Sequence, residues 1–292
     1  MSALVLVTGA GGLLGGVLAK ALGGEGREIL ATVRRPGVEV PGLECLPCEL
    51  SDPEAVQQLF TGRSIGAVVH VAGRIRGEPG ATGTFVRDNV VATTNLLDAS
   101  RAAGVERFVF CSTISVYSGE GPFAESSPTA VSDPYGWTKR KAEELCLQSA
   151  AGGPSIVVLR FAGLHGHPRR DGVIHAFFAS ASRGEPLRID EPDTEITPTF
   201  LDDVVGVMRR ILERPVPQSA SIFNVAIAEA VTLRQLAEAI HAQVGGGKIE
   251  LVASAKRRNR ALETNRLRTD LGYQPLPLSD HLARFSKKTV GK

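Results

Sequence analysis

Apolar residues run through this chain in two rhythms. The opening "ALVLVTG" is a short, valine-rich run of strand type. "LLGGVLAKAL" then repeats apolar side chains at helical spacing until Gly23 and Gly24 stop it. The alternation recurs. "EILATV" predicts a strand, "DPEAVQQLF" a helix with Pro53 in its first turn, "AVVHVAG" a strand and "FVRDNVVATTNLLDASRAAG" a long helix. "RFVFCS" follows as a strand, residues 134–150 as a helix and "SIVVLRF" as a further strand. With a strand ending in "LECLPCEL", six apolar strands alternate with helices up to about residue 161, which predicts an α/β fold with a doubly wound parallel sheet.

Beyond "GLHGHPRRDG" the rhythm changes. Helices are expected at "VIHAFFASAS", "DDVVGVMRRILE" and "TLRQLAEAIHAQV", the last opened by Thr232 and Gln235 as a capping box. Short strands fall between them at "LRID", "SIFNVA" and "KIELVA". The pattern divides the chain into a dinucleotide-binding domain over 1–161 and a smaller mixed substrate lobe over 162–292, with some later segments returning to the main sheet. The terminal "SKKTVGK" is expected to fray.

Composition narrows the functional class. A chain of 292 residues with 43% hydrophobic and 22% charged residues is ordinary for a folded enzyme, and a net charge of +2 gives no general reason for nucleic acid or membrane binding. No apolar run is long enough to span a bilayer, so a cytoplasmic protein acting on a small molecule is expected. Cys45 and Cys48 form one CxxC, but a second ligand pair is missing, and two reduced, partly buried thiols are expected in place of a metal or redox site.

Gly9, Gly12 and Gly15 fall where the first strand turns into the first helix, a spacing that lets the backbone approach a pyrophosphate at the helix N-terminus. The second strand ends in "TVRRPG", where an acid would accept hydrogen bonds from an adenosine ribose. Arg34 and Arg35 stand there instead and suit a 2′-phosphate, which favours NADP, with NAD as the alternative. In "YGWTK", Tyr135 and Lys139 lie one helical turn apart and can cooperate, the ammonium lowering the phenol's pKa. Ser112 and Thr113 end the "RFVFCS" strand with hydroxyls able to bind the same substrate oxygen. His70 is expected to be a satisfied core histidine, and no metal site is expected.

Taken in order, "TGAGGLLG", "VVHVAG", "NVVATTNLLDAS", "CSTISVYS" and "YGWTK" resemble the extended short-chain dehydrogenase/reductases, the group of nucleotide-sugar epimerases, dehydratases and ketoreductases. The resemblance implies a Rossmann-type sheet and Tyr135 as the acid/base. It also implies Lys139 on the nicotinamide ribose and Thr113 orienting the reacting oxygen, with Ser112 as the fallback. For the cofactor it implies contacts along Gly9, Gly11, Gly12, Leu13, Leu14 and Gly15, at Glu49 and Leu50 near the adenine, and at Val71, Ala72 and Gly73 beneath the dinucleotide. Asn89 helps to shape the sheet's active edge, and a homodimer is expected.

Departures from the family bear on the substrate. Gly163 stands where an Asn that contacts nucleotide-sugar phosphates is usual, and His165 stands where Tyr is usual. Arg160, together with Arg169, Arg170 and Arg188, offers alternative phosphate contacts, and Gly163, His165 and Arg160 are the substrate candidates. Ile114 and Ser115 follow Thr113 where dehydratases carry acids, so dehydration is not expected. The reading is an NAD(P)-dependent oxidoreductase or epimerase acting at a secondary alcohol or ketone of a sugar or sugar nucleotide. The alternatives are an NADPH-dependent reductase of a smaller ketone and a non-catalytic dinucleotide sensor.

Overall fold

The computed structural model describes residues 4–131, 133–214, 220–252 and 257–290. Its first half alternates strand and helix as the apolar rhythm requires. The elements are β1 (Leu4–Thr8), α1 (Leu13–Gly24), β2 (Ile29–Val33), β3 (Cys45–Pro47), α2 (Pro53–Phe60) and β4 (Ile65–His70). A short α3 (Thr82–Phe85) then runs through a π-helical turn (Val86–Val91) into α4 (Ala92–Ala102). β5 (Arg107–Thr113), α5 (Pro134–Ser149) and β6 (Ser155–Phe161) follow.

The later elements are shorter. They are β7 (Leu164–His165), α6 (Val173–Ser182), β8 (Leu187–Ile189), β9 (Glu195–Ile196), β10 (Thr199–Phe200), α7 (Leu201–Glu213) and β11 (Ser221–Val225). β12 (Val231–Thr232), α8 (Leu233–Val244), β13 (Ile249–Leu251), β14 (Asn259–Arg260), α9 (Asn265–Thr269) and α10 (Leu278–Val290) complete the chain.

The main sheet has seven strands in the order β11-β6-β5-β4-β1-β2-β3. β1 lies between β2 and β4, parallel to both, with Val7 opposite Ala31 on one side and Val69 on the other. Strand order reverses between β1 and β4, and it is outside the carboxyl ends of strands at such a switch point that open α/β sheets bind ligands. The strands are buried on both faces, and Leu6, Val68, Phe108, Phe110, Leu96, Ile156 and Val158 belong to one core. α2 starts where Asp52 accepts hydrogen bonds from Glu54 N and Ala55 N, with Pro53 pre-set for the first turn. Asp133 caps α5 in the same way through Gly136 N at 3.1 Å.

The chain packs as two compact units: Met1–Ser118, Pro128–Arg160 and Met208–Phe223 form one, and Gly119–Ser127, Phe161–Val207 and Asn224–Lys292 form the other. Within the second unit a separate core gathers Ile174, Phe178, Leu187, Phe200, Leu236, Ile240, Leu282 and Phe285. Residues 119–127 join it because Phe123 is fully buried there and its backbone is tied to Ala261 and Asn224. "KIELVA" forms β13, which pairs in parallel with β8, whereas "SIFNVA" forms β11 of the main sheet. The Thr232–Gln235 capping box is present at the start of α8. Contrary to the expected fraying, α10 continues to Val290, because His281, Leu282 and Phe285 give it a buried face. Residues 291–292 lie outside the described residues. Among the described residues, no helix is long and apolar enough to cross a membrane.

Candidate active site

The glycine turn between β1 and α1 is built by close backbone contact. Gly9 has φ of 72°, and a Cβ there would stand 2.8 Å from Ala72 Cα at the end of β4. A Cβ on Gly15 would overlap the Gly9 carbonyl. The turn thereby delivers the N-terminus of α1 with Gly12 as its N-cap, no side-chain cap and no acid in the first turn. Gly11 and Gly12 are exposed there, ahead of half-buried Leu13 and buried Leu14. Uncapped amides at a helix start without a competing carboxylate are the donors that an anionic pyrophosphate needs, so these residues fit a dinucleotide.

The end of β4 is fixed by two side chains. Thr8 Oγ1 accepts from the backbone N–H groups of Val71 and Ala72, at 3.1 and 3.2 Å, and pairs with His70 Nδ1 at 2.8 Å. His70 Nε2 meets Thr93 Oγ1 at 3.0 Å, so the ring is satisfied at both nitrogens, and burial with the Lys139 charge pushes its pKa down to about 3. Asn89, projecting from the π-helical turn, accepts from Arg74 N at 2.7 Å and donates to Thr138 Oγ1 at 3.0 Å. A Cβ on Gly73 would stand 2.7 Å from Asn89 Oδ1, which is why the loop after β4 can lie so close to the helix.

Arg34 and Arg35 differ. Arg34 Nη2 reaches Asp88 Oδ2 at 3.1 Å, whereas Arg35 is exposed and has no partner among the described residues. Asp88 is wholly buried and also takes Arg74 Nε at 3.1 Å and Arg87 Nε at 2.8 Å. Burial opposes its charge, but hydrogen bonds from Arg87 and Arg74 and the charges of Arg34 and Arg87 hold its carboxyl below the usual range. Glu49 accepts from Ser51 N and Oγ, and Leu50 is buried with its carbonyl held by Asn95 Nδ2 at 3.0 Å. Nearby, Cys45 and Cys48 are free thiols; burial and the charges of Glu49 and Asp52 push Cys48 up to about 11.

Thr113 ends β5 and Tyr135 lies in the first turn of α5, where the Thr113 side chain acts on the phenol. Burial raises the phenol above its ordinary pKa, while Thr113 and the Arg76 charge work against that rise and Asp133 adds to it. Arg76 comes from the loop after β4 and pairs with Asp133 at 3.0 Å. The expected lysine influence on the phenol is not among these causes. Lys139 is buried with its ammonium 4.0 Å from the Phe110 ring centroid, and burial lowers it to about 8 despite Cys111, Glu143 and Cys146 facing it.

Two expected contacts are engaged elsewhere. Ser112 Oγ donates to Glu143, turning away from the Thr113–Tyr135 pair. Arg160 is 4% exposed and is held by Glu143 and by Tyr117, whose hydroxyl accepts from Nη1 at 2.9 Å. Its role in this structure is to neutralise a buried carboxylate, which corrects the expectation of a phosphate contact. Asp133 is the helix cap, and Glu125 in the second unit accepts from Asn224 N at 2.9 Å.

In the second unit, His165 is buried beside Phe200, at 6.2 Å between ring centroids. Burial and the Arg169 charge lower its pKa to about 4. A Cβ on Gly163 would stand 3.2 Å from His165 Nε2 and one on Gly172 would stand 3.3 Å from its Cε1, so the ring fills space that both glycines leave. Arg169 donates to the Leu164 carbonyl and pairs with Asp171, and Arg188 pairs with Glu250.

Sequence reading missed Asp88, Glu143 and Arg76. "RDN" and "KAEEL" look like ordinary charged helix faces, and only the π-helical turn and the inward face of α5 bury their acids. Arg76 carried no signal, because its partner lies 57 residues away.

A parallel sheet with an uncapped glycine turn at its switch point, and a Thr–Tyr pair on the neighbouring β5 and α5, defines a dinucleotide-dependent enzyme of the extended short-chain dehydrogenase/reductase type. The model of the NAD-dependent epimerase/dehydratase family matches residues 5–226, and the chain belongs to that family. It is 28% identical to 2-alkyl-3-oxoalkanoate reductase of Stenotrophomonas maltophilia (strain K279a), over 86% of this chain and 79% of that one. It is 27% identical to UDP-glucose 4-epimerase of Streptomyces lividans, over 94% of this chain and 92% of that one. Among solved structures, MoeE5 in complex with UDP-glucuronic acid and NAD superposes with a TM-score of 0.81 at 26% identity, covering 99% of both chains. UDP-glucose 4-epimerase from Thermotoga maritima superposes with a TM-score of 0.83 at 23% identity, again over 99% of both, and shows the same fold. With these relatives the protein is an NAD(P)-dependent enzyme of the epimerase/reductase class.

Proposed function

We propose that the enzyme oxidises or reduces a secondary alcohol or ketone of a sugar or sugar nucleotide, with NADP(H) preferred, and that Tyr135 moves the proton. The observation that carries this reading is the placement of Thr113 at the end of β5 and Tyr135 in the first turn of α5, where Thr113 acts to lower the phenol's pKa. When bound, the nicotinamide supplies or accepts the hydride. Burial keeps the Tyr135 phenol protonated at neutral pH, so it can donate to a substrate carbonyl oxygen, and Thr113 orients that oxygen. Lys139 holds the nicotinamide ribose, and the N-terminus of α1 holds the pyrophosphate.

Sugar nucleotides are favoured by the relatives named for UDP-glucose and by MoeE5, whose complex contains UDP-glucuronic acid and NAD. NADP is favoured by Arg34 at the end of β2, where no acid stands. Dehydration is disfavoured because Ile114 and Ser115 bring no carboxylate beside Thr113, Asp133 is engaged in capping α5, and Glu125 is engaged by the Asn224 backbone N–H. A homodimer and cytoplasmic action complete the proposal.

A second reading, reduction of a smaller ketone, is favoured by the reductase relative and by Gly163, which lacks the amide that would meet nucleotide-sugar phosphates. Native mass spectrometry of freshly purified protein, followed by assay on a panel of nucleotide sugars and simple ketones, separates the two. Retained cofactor with interconversion of a nucleotide sugar supports the first. An empty site with NADPH consumed only on ketones overturns it, and a product lighter by one water overturns the exclusion of dehydration.

A further inference from the structure

Arg87 lies in the π-helical turn and carries no assigned role, yet its geometry is that of a prepared anion contact. It meets the buried Asp88 carboxylate through Nε alone, at 2.8 Å, and among the described residues its two terminal amines have no partner. Its side chain is 52% exposed. The other oxygen of the same carboxylate takes Arg34 Nη2, at 3.1 Å, and Arg34 is 43% exposed. One buried acid thus draws two solvent-facing guanidiniums, from β2's end and from the helix after β4, to a common point.

Arg74 also binds Asp88 but is otherwise held by Glu78 and the Pro79 carbonyl, and only 13% of its side chain is exposed. The carboxylate shared with Arg34 sets Arg87 beside the end of β2, the end of the site expected to receive adenosine, and the Glu49 charge also acts on it. A guanidinium anchored through Nε presents its outer edge as a two-pronged donor, the geometry that suits a phosphate oxygen pair.

We propose that Arg87 is a cofactor-binding residue that takes the 2′-phosphate of NADP together with Arg34, Asp88 holding both guanidiniums in position. This rests on the reading of Arg34 as a 2′-phosphate contact. Asp88 is then a positioning residue, and the pair of arginines selects the cofactor.

The test is calorimetric titration of the full chain with NADPH, NADH, 2′,5′-ADP and 5′-AMP, for the unaltered protein and for Arg87→Gln, Arg87→Lys, Arg34→Gln and Asp88→Asn. Arg87→Gln should weaken NADPH and 2′,5′-ADP by at least tenfold, leave NADH and 5′-AMP within twofold, and be partly restored by lysine. Asp88→Asn, if it folds by circular dichroism, should weaken the same two ligands; if it does not fold, Arg87→Gln decides alone. Arg87→Gln with unchanged NADPH affinity, beside a loss in Arg34→Gln, overturns the inference while the NADP reading stands. Equal affinity of the unaltered protein for NADPH and NADH overturns that reading and the inference with it.

Discussion

Arg160 and Glu143 form an ion pair inside the core, Nη2 to Oε2 at 2.7 Å, with side chains only 5% and 3% exposed. Tyr117 and Ser112 complete the network, and the Arg160 guanidinium lies over the Tyr117 ring at 4.7 Å. Removing one member strands a buried charge. Glu143→Ala should therefore lower stability by about 3–5 kcal/mol, and the double variant Glu143→Met/Arg160→Met should recover much of that loss. Urea unfolding followed by circular dichroism measures both. A single variant that unfolds like the parent would show that the network contributes little.

The same pair marks how far the sequence could be read. Strands and helices to residue 161 were legible because each apolar run has one rhythm and a clear stop, and the glycine turn announced itself through spacing. The partners of charged residues were not legible. Arg160 looked like a phosphate contact because its acid lies 17 residues back on α5, and nothing in "KAEEL" says which glutamate faces inward. β11 was visible as a strand, but its place beside β6 depends on packing across some 60 residues rather than on its composition. His70 could be judged correctly because a lone histidine in a buried strand needs only local hydroxyls, and Thr8 and Thr93 supply them.

Tyr135 and its surroundings give a kinetic prediction. Tyr135→Phe should reduce turnover by about 10² or more, as expected on loss of a general acid, with little change in cofactor affinity. Thr113 faces the phenol from β5, Arg76 from the loop after β4, and Asp133 from the N-terminus of α5, which also carries Lys139. Arg76→Gln removes the cation that restrains the phenol's pKa, so the alkaline limb of the pH–rate profile should move to higher pH, and Arg76→Lys should restore it. An unmoved profile in Arg76→Gln would separate that arginine from the proton transfer.

Gly163 and His165 are coupled through space. Gly163→Asn puts a side chain against the imidazole, whose Nε2 is 3.2 Å from the new Cβ position. Overpacking of this kind should cost about 1–3 kcal/mol. His165→Ala creates room, so the double variant should be less destabilised than the two single losses combined, a coupling that a double-mutant cycle measures directly. Additive losses would mean that the two positions do not share one space.

Stability should fall between pH 7.5 and pH 5. His70 and His165 titrate at about 3 and about 4 in the folded protein, the first through burial and the Lys139 charge, the second through burial and Arg169. An unfolded histidine titrates near 6.5, so over this interval the unfolded chain binds more protons than the folded one, and unfolding becomes easier as pH drops. Each site should contribute about 2 kcal/mol of the loss across the interval. The stabilising effect of Asp88 acts in a different window, because a carboxyl held below its usual range loses its contribution only at lower pH still. Urea unfolding at the two pH values should show the drop, and His165→Gln should shrink it by about one site's share. His165→Gln leaving the drop unchanged would mean that the folded protein accommodates the imidazolium, contrary to its burial beside Phe200 and the Arg169 charge.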